Sequence, residues 1–281
     1  AIRPAPVRIE DGIVAVAITI LLVGGCLLGW LLGSKYPMDW QAANPAEHSG
    51  VEEIKAQLLE LGFPDDVLQD LTAEDIAACN GALRVVTDVH DHAVDNSEKK
   101  PLRITGVAVE LPGQQERWMI FHHFLWTVDP GFYGTESIQL WPAQHLSKGW
   151  ESAGALTGRV LYDKDGTTYT APYYYLGQQT FTSESIFWGE QTSTDLFAAF
   201  SMPETRENYR GYVAYPVAKL RDGYIMDSWF NYTHQRTALQ YPAMTAMEFQ
   251  MSGAWDGNGP FRTIQDAPQF YPTEESAELL S

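Results

Sequence analysis

The sequence is poor in cysteine, and this shortage restricts the class of protein it can encode. Of its two cysteines, Cys26 falls in a long apolar run, so Cys79 has no partner for an intramolecular disulfide in the rest of the chain. This argues against a small secreted module held together by disulfides. It fits a bacterial surface protein whose stability comes from a large hydrophobic core. The apolar helical pattern around Cys79 predicts a buried, unreactive thiol.

Basic residues are also scarce. The chain has 18 Lys and Arg against 36 Asp and Glu, a formal net charge of −18. Arg3 and Arg8 balance Glu10 and Asp11, so the whole excess of negative charge belongs to the chain after residue 33. A field of this sign repels phosphate backbones, and we therefore expect no nucleic-acid partner.

Catalytic and nucleotide-binding motifs are missing as well: the chain has no G-x-S-x-G, H-E-x-x-H, P-loop or dinucleotide fingerprint. Ser97 to Lys100 matches S-x-x-K, but it lies in a polar loop without the accompanying motifs. If Glu184 and Glu190 both lie on one strand, they are about 20 Å apart, too far for a glycosidase pair. We expect no cofactor, and an enzyme is the less favoured interpretation.

What the chain does contain is an uncharged apolar run over residues 12–33. As a helix it would be about 33 Å long, enough to cross a hydrocarbon core of roughly 30 Å. The run is longer than the apolar region of a cleaved signal peptide and has no small-x-small cleavage site. It therefore predicts a retained transmembrane helix.

The charges that flank this helix predict its orientation. Arg3 and Arg8 precede it, whereas only Lys35 follows closely. By the positive-inside rule, residues 1–11 form a cytoplasmic tail and the C-terminal domain is extracytoplasmic. We expect a single-pass protein of the cell membrane.

Three glycines lie at four-residue intervals inside the predicted helix: Gly25, Gly29 and Gly33. Two overlapping G-x-x-x-G units place them on one helix face, where a second backbone can approach closely. The pattern predicts a homodimer or a contact with a partner's transmembrane helix. The alternative is that glycine is simply frequent in membrane helices.

The chain after the membrane divides into four predicted regions: a linker (34–50), a helical neck (51–82), an antiparallel β domain (83–235) and a C-terminal helical and irregular segment (236–281). Short helices like those of the neck cannot bury their apolar faces alone. The neck must therefore pack on the β domain or on a partner.

Alternating apolar runs separated by turn residues predict three hairpins. They pair Leu102–Leu111 with Arg117–Thr127, Leu156–Tyr162 with Thr167–Tyr173, and Tyr212–Leu220 with Tyr224–Tyr232. About ten antiparallel strands without a βαβ pattern indicate a β-sandwich or jelly roll. The fold class is therefore a single transmembrane helix followed by an α+β ectodomain.

Two further features refine this fold. Pro216 inside a strand indicates a sheet edge or a bulge. Methionines at helical spacing (Met244, Met247 and Met251) predict a C-terminal helix, and Phe261–Phe270 predicts a second amphipathic helix.

Histidines supply the candidate metal ligands. His90 and His92 would share one face of a strand, whereas the neighbours His122 and His123 must point to opposite faces. The favoured interpretation is that they form no metal site, with one histidine packed among aromatic rings and the others at loop ends, because the sequence does not show that three ligands converge. The candidates for the less favoured metal site are His90, His92 and His122. Residues 163–166 resemble a fragment of a calcium loop, but a hairpin turn explains them fully.

Aromatic residues are abundant, with 9 Trp, 14 Tyr and 12 Phe. Rings exposed on a sheet suit stacking on sugars or anchoring of a peptide. This predicts a glycan- or peptide-binding surface that includes Trp141, Tyr174, Trp188 and Trp229. The alternative is burial on both faces of the sheet beneath the helical segments.

Two runs carry a resemblance to a known group of proteins. They are Leu61–Cys79 (LGFPDDVLQDLTAEDIAAC) and Asp129–Pro142 (DPGFYGTESIQLWP). Both resemble uncharacterised membrane-anchored proteins of gut Firmicutes, some of them associated with sigma-factor regulation. The resemblance implies a bacterial cell-surface location and a regulatory role, but it identifies no functional residue.

These observations favour one functional hypothesis and leave two alternatives. The favoured one is a membrane-anchored, extracytoplasmic, non-catalytic binding or sensing protein. The alternatives are an envelope hydrolase acting on glycan or peptide, and a structural subunit held in a membrane complex by its glycine face.

Overall fold

The computed structural model describes most of the chain beyond the predicted membrane span. The described residues are 38–94, 100–141, 150–185, 189–202, 207–219, 226–252 and 259–270. The predicted transmembrane helix and its three glycines (Gly25, Gly29 and Gly33) lie outside these residues. No helix within the described ranges is long and apolar enough to cross a bilayer.

Strands dominate the described chain. The helices are α1 (Glu52–Glu60), α2 (Asp65–Asp70), α3 (Ala73–Ala77) and α4 (Thr245–Met251), with a 3₁₀ turn at Pro45–His48. The strands are β1 (Gln41–Ala42), β2 (Arg84–His92), β3 (Leu102–Leu111), β4 (Arg117–Trp126), β5 (Thr135–Trp141), β6 (Trp150–Ser152), β7 (Thr157–Lys164), β8 (Thr167–Ala171), β9 (Tyr175–Ser185), β10 (Gly189–Ser201), β11 (Glu207–Lys219), β12 (Met226–Asp227), β13 (Trp229–Gln235), β14 (Phe261–Asp266) and β15 (Gln269–Phe270).

The strands form two large antiparallel sheets. Sheet I has the order β1-β8-β7-β11-β4-β3-β2, with β6 added to β11, and sheet II has the order β14-β13-β5-β10-β9. Strands β12 and β15 form a separate two-stranded antiparallel pair. The prediction of an antiparallel β-sandwich is confirmed.

Two of the three predicted hairpins are present. Strands β3 and β4 pair over their full length, and β7 pairs with β8. The β7–β8 turn has positive φ at Asp165 (50°) and Gly166 (75°), the backbone conformation that a tight hairpin turn requires.

The third predicted hairpin is wrong. Strand β11 pairs with β4 and β7 in sheet I, whereas β13 pairs with β5 and β14 in sheet II. An Asp-Gly turn signal predicts a local chain reversal but does not determine which sheet receives the next strand. Because β11 is buried along most of its length, it needs neighbours on both sides.

Pro216 lies inside sheet I, in the central strand β11 and not at an edge. It falls where the partner of β11 changes from β7, which ends its pairing at Ala214, to β6, which begins at Val217. The Pro216 carbonyl accepts a bond from Ala153 N on this side. The missing N–H of proline therefore faces the gap between two partner strands, where no ladder bond is lost.

Aromatic rings fill the space between the sheets. Phe124 of sheet I stacks on Phe200 of sheet II with ring centroids 5.4 Å apart, and it contacts Tyr232 at 5.1 Å. All three side chains are fully buried or nearly so. A large part of the aromatic content therefore belongs to the core.

The helical neck packs on the outer face of sheet I, as its short amphipathic helices require. Leu58 and Ile76 of the neck share an apolar cluster with Val107 and Phe121 of the sheet. Thr72 caps α3, because its hydroxyl accepts a bond from Asp75 N at 3.2 Å. Cys79 is fully buried in the same cluster, as predicted, and burial raises the pKa of its thiol to about 12, which disfavours the reactive thiolate.

Helix α4 covers the outer face of sheet II, where Met247 contacts Phe197 and Ala199. The second predicted C-terminal helix is wrong, because Phe261–Asp266 is strand β14, paired with β13. Phe261 and Ile264 have helical spacing, but the free edge of β13 offers this segment backbone partners that an isolated helix would lack. The described residues therefore form four layers in the order neck helices, sheet I, sheet II and helix α4.

The predicted linker is partly docked on the domain. Its residues Gln41 and Ala42 form β1 and pair with the edge strand β8. Trp40 packs against Tyr162 with ring centroids 4.6 Å apart. Residues 38–50 are therefore not a free spacer.

Candidate metal centre

One side of the sandwich brings the edges of the two sheets together. Strand β2 is an edge of sheet I, and β14 is an edge of sheet II. After Asp266 the chain leaves sheet II and crosses to sheet I, where β15 contacts β2. We call residues 266–270 the strap. Gly106 of β3 lies beneath it, and a Cβ at this position would lie only 2.8 Å from Pro268 Cβ.

Three metal-ligand side chains converge where the strap begins. His90 Nδ1 lies 2.7 Å and His92 Nε2 lies 3.5 Å from Asp266 Oδ1. One donor atom from each of the three residues lies within 4.8 Å of the other two. The expectation that His90 and His92 share a strand face agrees with this geometry, and Asp266 is the member that the sequence did not indicate.

The cluster is buried at its base and open at its mouth. Asp266 exposes 4% of its side chain and His92 exposes 19%, whereas His90 exposes 45%. Among the described residues, Asp266 Oδ2 and His92 Nε2 are buried without a hydrogen-bond partner. A buried carboxylate oxygen and a buried imidazole nitrogen that both lack partners are costly unless another group satisfies them.

A second carboxylate orients His90. Asp88 Oδ1 lies 3.3 Å from His90 Nε2, on the opposite side of the ring from Asp266. Asp88 Oδ2 accepts a bond from Gln269 N of the strap at 3.2 Å, which fixes the carboxylate in place. Ligating histidines typically donate their other ring N–H to such a carboxylate.

The electrostatics of the cluster favour positive charge. Burial acts to lower the pKa of His90, but the hydrogen bond to Asp266 and the charges of Asp266 and Asp88 outweigh burial and raise it. Burial likewise acts to raise the pKa of Asp266, but its interactions with His92 and His90 outweigh burial and lower it. The site therefore holds an ionised carboxylate facing two imidazoles.

His122, the third predicted ligand, is not a member of this group. It is fully buried, with Nε2 2.5 Å from Ser228 Oγ, and its ring stacks on Phe230 at 5.1 Å. Burial lowers the pKa of His122 to about 4, although the charge of Asp266 acts in the opposite direction. It is a neutral core histidine packed among aromatic rings, the interpretation that the sequence favours for one histidine.

The described aromatic candidates do not form one surface. Tyr174 is partly buried just before β9, and Trp229 is partly buried at the start of β13. Strands β5 and β10 separate these positions in sheet II. The side chain of Trp141 and the whole of Trp188 lie outside the described residues.

A polar cavity of about 400 Å³ lies between the neck and sheet I. Arg159 and Arg210 line it, but internal carboxylates already neutralise both. Arg159 Nη1 lies 3.0 Å from Glu47, and Arg210 Nε lies 2.9 Å from Asp70. Its charges are balanced within the protein, so we do not place the functional site here.

Asp88 could have been found in the sequence, because Asp88, His90 and His92 alternate and must share a face of one strand. Asp266 could not have been found, since it lies 176 residues from His90 and reaches it only through the crossing of the strap.

Comparison with known proteins identifies no family. No protein-family model matches the chain, and no curated protein does. Three solved structures show a distant likeness. The structure titled "Pore forming protein" has a TM-score of 0.30 at 8% identity over 68% of this chain and 90% of its own. Clostridium perfringens delta-toxin has a TM-score of 0.30 at 8% identity over 66% of this chain and 88% of its own. The KRT10-binding region domain of pneumococcal PsrP has a TM-score of 0.24 at 12% identity over 66% of this chain and 99% of its own. Likenesses of this size carry no functional argument.

Proposed function

We propose that this chain is a non-catalytic binding protein of the cell envelope whose β domain binds a divalent transition-metal ion. The observation that carries the proposal is the convergence of His90, His92 and Asp266, whose donor atoms lie within 4.8 Å of one another. The three residues come from two sheet edges, so they meet only in the folded protein.

The donor set indicates the class of metal. Imidazole nitrogens suit zinc, copper, nickel and iron, whereas calcium and magnesium prefer sites made of oxygen ligands. Ligand atoms in a tetrahedral zinc site lie about 3.4 Å apart. This spacing falls between the 2.7 Å contact of His90 with Asp266 and the 4.8 Å limit of the group. A small separation of the side chains would admit the ion.

Two features outside the ligand set support a cation. Asp88 orients His90 in the manner of a carboxylate–histidine–metal arrangement. The net charge of −18 raises the local concentration of cations around the protein.

The test is a zinc titration of the full-length protein in detergent, monitored by thermal unfolding. Zinc at about 100 times its dissociation constant should stabilise the fold by about 2.7 kcal/mol. For a domain of this size, the melting temperature should rise by about 5–11 °C. His92→Gln and Asp266→Asn should abolish this rise, and magnesium should not produce it.

Asp91→Asn is the matched control. Asp91 lies between the two histidines on the opposite face of β2, where it pairs with Arg103 at 2.9 Å. This variant should keep the full response to zinc. An equal rise in the wild type and in Asp266→Asn would contradict the proposal.

An envelope hydrolase is the second candidate, and one observation favours it. Three protein ligands with His90 half-exposed leave a coordination position that solvent can reach, as in catalytic zinc sites. Zinc-dependent cleavage of ester, peptide or glycan substrates that His92→Gln abolishes would establish this candidate. A zinc-loaded protein that cleaves none of them would favour the binding protein.

The membrane anchor belongs to the same proposal. Its support is the uncharged run over residues 12–33 and the arginines before it. Reporter fusions at the C-terminus should be active only outside the cytoplasm. Gly29→Ile should reduce crosslinked oligomers if the glycine face of the anchor mediates association.

A further inference from the structure

The strap is held by contacts close to the metal ligands. Gln269 N donates to Asp88 of β2 in sheet I, and Ser228 N, which lies between β12 and β13, donates to Pro268 O at 3.1 Å. Phe270 is fully buried. Within the described ranges, β15 pairs only with the two-residue strand β12. The strap therefore depends on a few side-chain anchors and very little backbone pairing.

The metal ligands lie on both sides of this junction. His90 and His92 belong to the edge strand β2, whereas Asp266 is the last residue of β14, where the strap begins. An ion bound to all three side chains would join β2 to the start of the strap. Asp88 both faces His90 and accepts a bond from Gln269 N of the strap, so the geometry of the ligands depends on strap docking. Linkage makes such a coupling between metal binding and strap docking reciprocal.

We propose that metal binding locks the strap onto the edge of sheet I, so that residues 266–270 are better ordered when the metal site is occupied. This inference rests on the proposed metal site and adds the structural change that binding causes. In the metal-free protein the strap docks through Phe270, Pro268 and Gln269, and in the metal-bound protein the ion also ties β2 to Asp266, where the strap begins.

Amide hydrogen exchange of the full-length protein, with and without zinc, tests the coupling. Peptides covering residues 261–270 and 84–92 should exchange about tenfold more slowly with zinc. Peptides covering α1, which lies on the opposite face of sheet I, should be unchanged. Asp266→Asn should show no zinc-dependent protection.

Reciprocity gives a second test with variants that touch no ligand. Phe270→Ala removes the apolar anchor of the strap and should weaken zinc affinity about tenfold. Phe63→Ala, which removes a buried ring in the neck cluster, is the matched control and should leave zinc affinity unchanged. If Phe270→Ala does not fold, Gly106→Ala replaces it, because the added methyl would displace Pro268.

The outcomes separate this inference from the metal site itself. Stoichiometric zinc binding with slower exchange in the strap supports both. Zinc binding with unchanged strap exchange, or with full affinity in Phe270→Ala, overturns the coupling and leaves the metal site intact. Failure of the wild type to bind zinc overturns both.

Discussion

Asp88 is a residue that we expect to influence the affinity of the proposed metal site without binding the ion itself. It lies 3.3 Å from His90 Nε2 and leaves Nδ1 directed at Asp266. Asp88→Asn retains an oxygen that can accept from Gln269 N but loses the charged partner of the imidazole. We expect zinc affinity to fall about 10–100-fold with one ion still bound per chain.

Isothermal titration measures this change, and the ¹⁵N shifts of the His90 ring test its cause. A change in the tautomer balance of His90 in Asp88→Asn would show that Asp88 acts by positioning the ligand. Unchanged ring shifts together with unchanged affinity would remove Asp88 from the site.

Asp70 is the residue through which acid should destabilise the domain. It is buried against His123 Nε2 at 2.8 Å and Arg210 Nε at 2.9 Å. Burial acts to raise the pKa of Asp70, but its bonds to His123 and Arg210 outweigh burial and lower it below 3.8. A carboxylate with a lowered pKa in the folded state stabilises the protein above its unfolded pKa, and this contribution is lost as the pH falls through the folded pKa.

We therefore expect the free energy of unfolding to decrease as the pH falls below about 4, because the unfolded chain then binds a proton at Asp70 that the folded protein binds only at lower pH. Asp70→Asn should reduce stability at pH 7 by about 3–5 kcal/mol, since it leaves Arg210 and His123 without their buried partner. The variant should also show a weaker dependence of the free energy of unfolding on pH below about pH 4. Urea denaturation across pH 3–7 measures both effects. The same pH dependence in the variant and the wild type would contradict this assignment.

At the scale of elements, local signals predict the hairpins that close within one sheet. The Asp165–Gly166 turn was predictable because its two positive φ angles depend only on the residues in the turn. The residues Asp222 and Gly223 carry the same sequence signal, yet β11 and β13 belong to different sheets. The strand that follows a turn joins the sheet in which its apolar face is buried. Which sheet that is depends on the packing of the whole sandwich.

The neck allows a matched test of helix docking. Leu58 is fully buried against sheet I, whereas its neighbour Leu59 on α1 is 44% exposed. Leu58→Ala should destabilise the domain by about 2–5 kcal/mol, and Leu59→Ala by less than about 0.5 kcal/mol. Urea denaturation of both variants measures the difference. Equal losses would contradict the docking of the neck on sheet I.

At the scale of the whole molecule, the site lies where two sheet edges meet and the strap closes the gap between them. The pattern of β2 was sufficient to place His90 and His92 together, because alternation along a strand is a local rule. It could not provide Asp266, since the approach of Pro268 to Gly106 that brings the strap to sheet I is a tertiary contact. The third predicted ligand, His122, failed for the same reason: only the packed core determines that its ring is enclosed.

Anomalous diffraction from zinc-soaked crystals would show whether one ion binds between His90, His92 and Asp266. We expect one peak above the zinc absorption edge, about 2.0–2.2 Å from a nitrogen of each imidazole and from an Asp266 oxygen. No peak at this position, or a peak whose ligands are other residues, would contradict this expectation.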